Sequence, residues 1–194
     1  MAIIVVSGGG RGVGKTALVC GVIAALPEMA WTAIKLTGHT HGDLPAIYDE
    51  KLPGQGTDTA RYLAAGAERA FLVTAGDAEL AGRVQEVQSM LSPGANVIFE
   101  SNRIVQHLRP DFCIAVRAGT EANGPKPSFD RAMQLADALI MRSETDRFVE
   151  EAFADGRQPM PVFHLRRFER VSPEMRLWLR QRLAVKGENP AARA

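Results

Sequence analysis

The stretch that decides the fold is VVSGGGRGVGKTALV, residues 5–19. It contains the phosphate-binding pattern of a glycine, any four residues and then Gly-Lys-Thr. Glycines allow backbone angles that other residues resist, so successive N–H groups can turn inward around an anion. The same groups lie at the positive end of the following helix, where donors have no intrahelical partner. The residues predicted to bind a nucleotide are Gly9, Gly10, Arg11, Gly12, Val13, Gly14, Lys15, Thr16 and Ala17.

The segments on either side of this loop agree with that interpretation. Residues 3–6 form an apolar, β-branched run that is typical of a buried parallel strand. After the loop, Leu18, Val22 and Ala25 recur at helical spacing as far as Pro27. Strand, loop and helix follow in the order that phosphate binding requires, so Lys15 is expected to reach the terminal phosphates and Thr16 to ligate Mg²⁺.

Composition predicts one globular domain over residues 1–186 with a C-terminal tail at 187–194, in a chain of 194 residues that is 46% hydrophobic. The net charge of +1 gives no general attraction to nucleic acid or to acidic membranes, and we expect neither as a partner. Cys20 and Cys113 lie in apolar stretches and are interpreted as small buried hydrophobes. The first apolar run lacks a basic leader and is short, which predicts a cytoplasmic protein.

Apolar runs and amphipathic segments alternate along the chain, which predicts an α/β fold of the P-loop NTPase kind. We expect a mostly parallel β-sheet that is flanked by helices on both faces. A long polar segment, residues 37–56, is predicted to be a functional loop. Further strands are predicted near 31–36, 71–73, 96–100, 112–116, 138–141 and 161–165, and helices near 58–65, 78–91, 128–136, 144–153 and from Ser172 to about Lys186.

Two polar stretches supply candidates for chemistry beyond the phosphate loop. The strand NVIFE ends in Glu100, which would deliver a carboxylate to the edge of the sheet where ligands of α/β proteins bind. We expect Thr16 and Glu100 to hold Mg²⁺, directly or through its water. The stretch KLTGHTHGDLP begins at Lys35, and its Asp43 is a second candidate for orienting the metal's water. The predicted catalytic residues are Lys15, Asp43 and Glu100.

The chain resembles the MobB family of molybdopterin-guanine dinucleotide biosynthesis proteins, most clearly in PGQGTDTARYLAAGA, residues 53–67. The family's lysine with following histidines is similar to Lys35, His39 and His41, and its strand ending in Glu-Gly to the one ending in Glu100 and Ser101. The likeness covers roughly the first 117 residues. The family's Pro-Gly, Asp-Ser/Thr, arginine-bearing helix and Ala-Gly-Ala fall here on Pro53, Gly54, Asp58, Thr59, Arg61, Ala65, Gly66 and Ala67.

This resemblance implies a homodimeric protein that binds GTP, hydrolyses it slowly and assists a guanylyltransferase partner that joins GMP to molybdopterin. The residues themselves leave GTP and ATP open. The stretch MRSETDR, residues 141–147, lacks the usual Asn-Lys guanine signature, with Asp146 as a candidate acceptor. No arginine finger is evident apart from Arg11 acting across a dimer, so hydrolysis as slow as about 10⁻⁴ s⁻¹ is expected. The alternative is an ATP-dependent small-molecule kinase or ligase resembling dethiobiotin synthetase.

Overall fold

The computed structural model describes residues 1–39, 43–117, 127–151 and 159–187. The predicted His41 and the tail residues 188–194 lie outside these ranges. The helices are α1 Lys15–Ala25, α2 Asp58–Ala64, α3 Leu80–Ser89, α4 Pro127–Gln134 and α5 Pro173–Gly187. The strands are β1 Ile3–Gly8, β2 Trp31–Thr37, β3 Ile47–Glu50, β4 Arg69–Thr74, β5 Asn96–Glu100, β6 Phe112–Arg117, β7 Ala138–Arg142, β8 Arg147–Glu151 and β9 Met160–Leu165.

All of these strands belong to one sheet, in the order β3-β4-β2-β5-β1-β6-β7-β9-β8. The seven central strands are parallel, and β3 and β8 run antiparallel at the two edges. β1 lies between β5 and β6, so Val6 pairs with Glu100 on one side and with Ile114 on the other. After β1 the chain crosses to β2 on one side, and after β5 it passes to β6 on the other. The carboxyl end of β1 is therefore a topological switch point, where ligands of α/β sheets bind.

Helices cover both faces of the sheet, as the alternating sequence pattern predicts. On one face, α1, α2 and α5 pack on the inner strands through a core that includes Leu18, Tyr62 and Leu179. On the other face, α3 covers the sheet through Val84 and Val87. The buried sides of parallel strands in such a layered fold are apolar on both faces, which accounts for the continuous apolar runs in β1 and β6.

α1 is buried almost all round, because α2 and the β9–α5 connection cover it on the side away from the sheet. Gly21 permits this contact, since a Cβ there would collide with the carbonyl oxygen of Phe168. The sequence spacing predicts a single buried stripe on this helix, whereas the structure buries every residue from Ala17 to Ile23. The start of the helix is consequently held in a fixed position by packing on several sides.

Two edge elements differ from the sequence prediction. The predicted helix over 144–153 is wrong, because Arg147–Glu151 form strand β8, which pairs antiparallel with β9. Phe148 packs on Phe163 of β9 with ring centroids 5.1 Å apart, and this cross-strand pairing outweighs the weak helical pattern. The predicted 37–56 loop contains strand β3, whose pairing with β4 supplies hydrogen bonds that the polar sequence did not suggest.

Both cysteines are buried, as the sequence predicts, and neither forms a disulfide. Burial raises the pKa of Cys20 to about 11 and that of Cys113 to about 12. Both thiols therefore stay protonated near neutral pH. Among the described residues, the structure contains no helix with the length and apolar character needed to cross a membrane.

Candidate functional site

The glycine-rich loop connects the carboxyl end of β1 to the first turn of α1. Gly14 is the N-cap residue of α1 and has a positive φ of 103°, and Gly12 has a positive φ of 76°. An L side chain would strain the backbone at both positions. Gly14 also packs under Phe168, because a Cβ on Gly14 would collide with that ring. The loop thus turns into the helix with its first N–H groups at the positive end of the helix dipole, which favours an anion.

Lys15 and Thr16 lie on the first turn of α1, directly after the loop. The Lys15 ammonium donates to the carbonyl oxygen of Gly10 at 2.7 Å, so it lies across the mouth of the loop. The Thr16 hydroxyl donates to Glu100 Oε2 at 2.7 Å, which joins the start of α1 to the end of β5. A hydroxyl that donates its proton keeps its lone pairs for a cation. These are the positions at which the sequence pattern predicts a phosphate-binding ammonium and a metal-binding hydroxyl.

Glu100 is the centre of a buried hydrogen-bonded network. Only 5% of its surface is exposed, and its carboxylate accepts from Thr16, from the hydroxyl of Tyr62 and, at 2.9 Å, from the ammonium of Lys35. Lys35, on β2, also forms an ion pair with Asp58, the first residue of α2. A buried carboxylate without partners would be costly, and here three donors compensate it. The network fixes Glu100 beside the phosphate loop.

The charges in this network raise the pKa values of two of the donors, Lys35 and Tyr62. Burial would lower the pKa of Lys35, but the negative charges of Glu100 and Asp58 outweigh that effect and raise it above the ordinary value. Burial, reinforced by the charge of Glu100, raises the pKa of Tyr62 well above that of an ordinary tyrosine. Lys35 is therefore charged and Tyr62 neutral at physiological pH, and both remain donors to Glu100.

Asn102 connects the end of β5 to the end of β1. Its side-chain oxygen accepts from the N–H of Gly8 and its side-chain nitrogen donates to the carbonyl of Gly8, both at 2.8 Å. Ser101 caps the short 3₁₀ helix that follows, since its hydroxyl oxygen accepts from the N–H groups of Arg103 and Ile104. Asn102 thus fixes the backbone at which the phosphate loop begins, and Ser101 fixes the turn that follows β5.

A cavity of about 610 Å³ opens over this loop. Its lining is strongly charged, which suits a polyanion together with its cation rather than an apolar ligand. The acidic lining residues are Asp58, Glu100 and Glu169, and the basic ones are Arg11, Lys15, Lys35, Arg61 and Arg103. Arg103 donates to Asp77 Oδ1 at 2.6 Å and to the carbonyl of Ala75 at 2.8 Å, so its guanidinium is held at the end of β4.

The structure brings most of the predicted site residues together around this cavity. Gly10, Arg11, Gly12, Gly14, Lys15, Thr16, Ala17 and Glu100 line it, as does His39. Gly9 instead donates its N–H to Val116 on β6 at 3.2 Å, and Val13 is buried. Asp43 is exposed and is not among the described lining residues, so its role stays a prediction.

Several residues of the site were missed as functional candidates from the sequence, among them Asp58, Arg61, Tyr62, Asn102 and Arg103. Asp58 and Arg61 were cited only as part of the likeness to the MobB family. Both lie on the first turn of α2, after its capping residue, and that position could have identified them. Asn102 carried no recognisable signal, because its hydrogen bonds reach Gly8, 94 positions away in the chain.

The donor set fits Mg²⁺. No group of three or more His, Cys, Asp or Glu side chains is placed to hold a metal ion among the residues that the structure describes. Mg²⁺ does not need such a cage, since it binds through one or two protein oxygens, phosphate oxygens and water. Thr16 offers a hydroxyl oxygen beside the buried carboxylate of Glu100, which are hard oxygen donors of the kind that this ion prefers.

The site combines strand β1, a glycine loop with left-handed Gly12 and Gly14, and a helix that begins at Lys15 and Thr16. An acidic residue lies at the end of the adjacent β5 and accepts from Thr16. This is the fold of the P-loop NTPases. Its parallel inner strands and helices on both faces agree with the predicted fold class. The chain has a P-loop nucleotide-binding fold, with the loop at the switch point of the sheet.

No family model matches the chain, and no curated protein matches it. Solved structures are similar to it, and two of them are described here. One is a MobB protein homolog from Bacillus stearothermophilus, 16% identical, with a TM-score of 0.49 over 95% of this chain and 99% of that one. The other is LpxK from Aquifex aeolicus, solved in complex with ATP and 16% identical, with a TM-score of 0.48 over 73% of this chain. That match spans about half of LpxK, or 48% of its length.

Proposed function

We propose that this protein is a Mg²⁺-dependent purine nucleoside triphosphate-binding protein that favours GTP and hydrolyses it slowly. The observation that carries the proposal is the joint placement of Lys15 and Thr16 on the first turn of α1, with Thr16 bonded to the buried Glu100. A loop that only turned the chain would not need a lysine, a hydroxyl and a buried carboxylate at that point. Each of these groups has a defined part in binding a triphosphate and its metal.

The residues of the site divide that work between them. Backbone N–H groups of the loop and the Lys15 ammonium offset the phosphate charge. Thr16 would hold Mg²⁺, which neutralises charge on the terminal phosphates when bound. Glu100 orients the Thr16 hydroxyl by accepting a hydrogen bond from it, and Lys35 and Tyr62 hold Glu100 in place. These residues therefore serve to position the nucleotide and its metal more than to activate a water molecule.

The arginines of the cavity support slow hydrolysis. Arg103 is engaged by Asp77, and Arg61 lies 3.8 Å from Asp58. Arg11 is exposed in the loop itself, where a second copy of the chain could use it. P-loop proteins that lack an arginine over the terminal phosphate hydrolyse GTP at rates as low as about 10⁻⁴ s⁻¹. Slow turnover suits a protein that presents its nucleotide to a partner.

An accessory role in molybdopterin-guanine dinucleotide synthesis follows from the MobB-like sequence motif. Two residues of that motif lie in the site, since Asp58 pairs with Lys35 and Arg61 lines the cavity. Under this proposal the protein acts as a cytoplasmic homodimer and supplies GTP to a guanylyltransferase partner that acts on molybdopterin. Because these residues lie outside the phosphate loop, the likeness to the MobB family extends beyond that loop. This wider likeness supports the accessory role.

The alternative is an ATP-dependent kinase or ligase for a small anionic molecule. The extent of the cavity favours it, because the cavity continues past Lys15 to His39 and Arg103, where a second substrate would have room. The two candidates differ in nucleotide and in turnover, so one experiment separates them.

That experiment is a calorimetric titration of nucleotide-stripped protein with GTP and with ATP, each with Mg²⁺, followed by phosphate-release assays. Tighter binding of GTP with turnover near 10⁻⁴ s⁻¹ supports the accessory protein. Tighter binding of ATP, with multiple turnover in the presence of a small acidic metabolite, supports the kinase or ligase. Binding of neither nucleotide contradicts both candidates.

A further inference from the structure

Helix α2 brings two side chains to the phosphate site. Asp58, its first residue, pairs with the ammonium of Lys35, and Tyr62, four residues later, donates its hydroxyl hydrogen to Glu100. Residues four apart in a helix lie on the same face, so one face of α2 reaches both groups. Lys35 in turn donates to Glu100 at 2.9 Å. The position of α2 therefore determines how two donors to Glu100 are held.

The start of α2 is fixed by hydroxyl groups that share one carboxylate oxygen. Thr57 caps the helix, since its hydroxyl oxygen accepts from the N–H of Ala60 at 3.1 Å. The same hydroxyl donates to Glu50 Oε2 at 3.0 Å, and the hydroxyl of the buried Thr59 donates to that oxygen at 3.2 Å. A hydroxyl whose hydrogen points in a fixed direction presents its lone pairs in fixed directions. Glu50 thus orients the Thr57 hydroxyl to cap α2.

Glu50 is the last residue of the edge strand β3, and it is not among the described residues that line the phosphate cavity. Its second oxygen, Oε1, accepts from the N–H groups of Lys51 and Leu52 at 3.1 and 3.4 Å. Burial would raise the pKa of Glu50, but the hydrogen bonds from the two threonines and from the backbone outweigh that effect and lower it. The carboxylate is therefore charged at neutral pH, with both oxygens engaged.

We propose that Glu50 is a positioning residue of the phosphate site, which acts from the edge of the sheet by fixing the start of α2. This inference rests on the proposed function. Without the carboxylate, the hydroxyls of Thr57 and Thr59 lose their shared acceptor, and the cap of α2 is no longer oriented. The first turn of α2 then loosens, and with it the contacts that α2 makes to Lys35 and Glu100.

The first test is the affinity of the full-length Glu50→Ala variant for Mg²⁺–GTP, measured by calorimetric titration. We expect the affinity to fall by about threefold to tenfold, because α2 no longer holds the groups around Glu100 firmly. The matched control is Asp49→Ala, which removes the neighbouring carboxylate of the same strand. Asp49 pairs with Lys51 and Arg69 instead of the α2 cap, so this variant should keep the native affinity. Native affinity in a folded Glu50→Ala protein would overturn the proposal.

A double variant shows whether Glu50 acts through α2. Tyr62→Phe removes the hydroxyl by which α2 contacts Glu100, and it should lower the affinity for Mg²⁺–GTP by itself. Combining it with Glu50→Ala should cost less than the sum of the two single losses, since both changes weaken the same contact. Fully additive losses would show that Glu50 acts by a route other than α2, which contradicts the proposal.

A spectroscopic measurement tests the same route without a nucleotide. The chain has two tyrosines, so Tyr48→Phe leaves Tyr62 as the only phenol. The intensity ratio of the tyrosine Raman doublet reports whether a phenol donates a hydrogen bond. In the Tyr48→Phe protein, Glu50→Ala should shift this ratio toward a weaker donor and Asp49→Ala should not; an unshifted ratio in Glu50→Ala would overturn the proposal. Failure of the proposed function has a different signature, because then the Raman shift persists while no triphosphate binds and Lys15→Ala changes nothing.

Discussion

Thr16 and Glu100 are 84 residues apart in the chain, and the hydroxyl of one donates to the carboxylate of the other at 2.7 Å. This bond joins the first turn of α1 to the last residue of β5. Because Glu100 is buried and also accepts from Tyr62 and Lys35, the hydroxyl is directed by a carboxylate that is itself fixed. The phosphate loop and the acidic strand therefore act as one unit.

Replacing Thr16 by Val should remove metal-dependent nucleotide binding. The methyl group fills the place of the hydroxyl but gives the ion no oxygen ligand. We expect the triphosphate affinity in Mg²⁺ to fall by about tenfold or more, and the affinity in EDTA to match that of the native protein. Titrations with and without Mg²⁺ measure both values. Thr16→Ser keeps the hydroxyl and should retain metal dependence. Equal losses in Mg²⁺ and in EDTA would mean that Thr16 serves only to shape the loop.

Replacing Lys35 by Met should lower the free energy of unfolding by about 3 kcal/mol, because it leaves the buried Glu100 carboxylate with two donors and leaves Asp58 with Arg61 at 3.8 Å in place of its close pair with Lys35. This is the lower end of the usual range, since Lys35 and Asp58 keep 20% and 35% exposure. Urea denaturation gives the value. The matched control is Lys51→Met, which removes an ammonium that is 72% exposed and should change stability by less than about 1 kcal/mol.

A double variant separates charge from packing at this position. Lys35→Met combined with Glu100→Gln removes the buried negative charge along with the positive one, so part of the lost stability should return. Additive losses in the double variant would show that the Lys35 side chain stabilises the fold through packing instead.

Replacing Gly14 by Ala should destabilise the fold and weaken triphosphate binding together. The residue has a φ of 103°, and an added Cβ would meet the ring of Phe168. The backbone strain alone costs about 1–3 kcal/mol. Gly10→Ala is the control for stability, because its Cβ would lie 3.6 Å from Val13, an ordinary contact. Thermal unfolding of the two variants measures the difference, and equal melting temperatures would contradict the close packing of Phe168 on the loop.

Stability should fall as pH rises above about 9. Burial raises the folded-state pKa of Cys20 to about 11 and of Cys113 to about 12, from an ordinary value of 9.0. Between those limits the unfolded chain loses the thiol protons and the folded chain keeps them, so each thiol lowers stability by about 1.4 kcal/mol per pH unit. Cys113→Ala should therefore show a shallower decline near pH 10 than the native protein. Parallel declines in urea unfolding between pH 9 and 10.5 would contradict a buried, protonated Cys113.

The sequence predicts the centre of the fold and of the site more accurately than their edges. The phosphate loop is local, so its glycines, Lys15 and Thr16 are recognisable from spacing. The sequence did not predict β8, because its five residues also fit a helix. Its pairing with β9 depends on residues elsewhere in the chain, so the short stretch alone does not indicate a strand. Asn102 was missed because its partner is Gly8, and the role of Phe168 depends on the β9–α5 connection lying against Gly14. Contacts between distant residues of the chain leave no periodic signal.

The most direct test of the central claim is a calorimetric titration of Mg²⁺–GTP into the native protein and the Lys15→Ala variant. The control is Lys51→Ala, which changes an exposed lysine that is not among the residues lining the cavity. The loop geometry predicts that the native protein and the control bind with equal affinity, whereas Lys15→Ala shows no measurable binding and keeps a native circular dichroism spectrum. Undiminished affinity in a correctly folded Lys15→Ala protein would contradict the assignment of this loop as the nucleotide site.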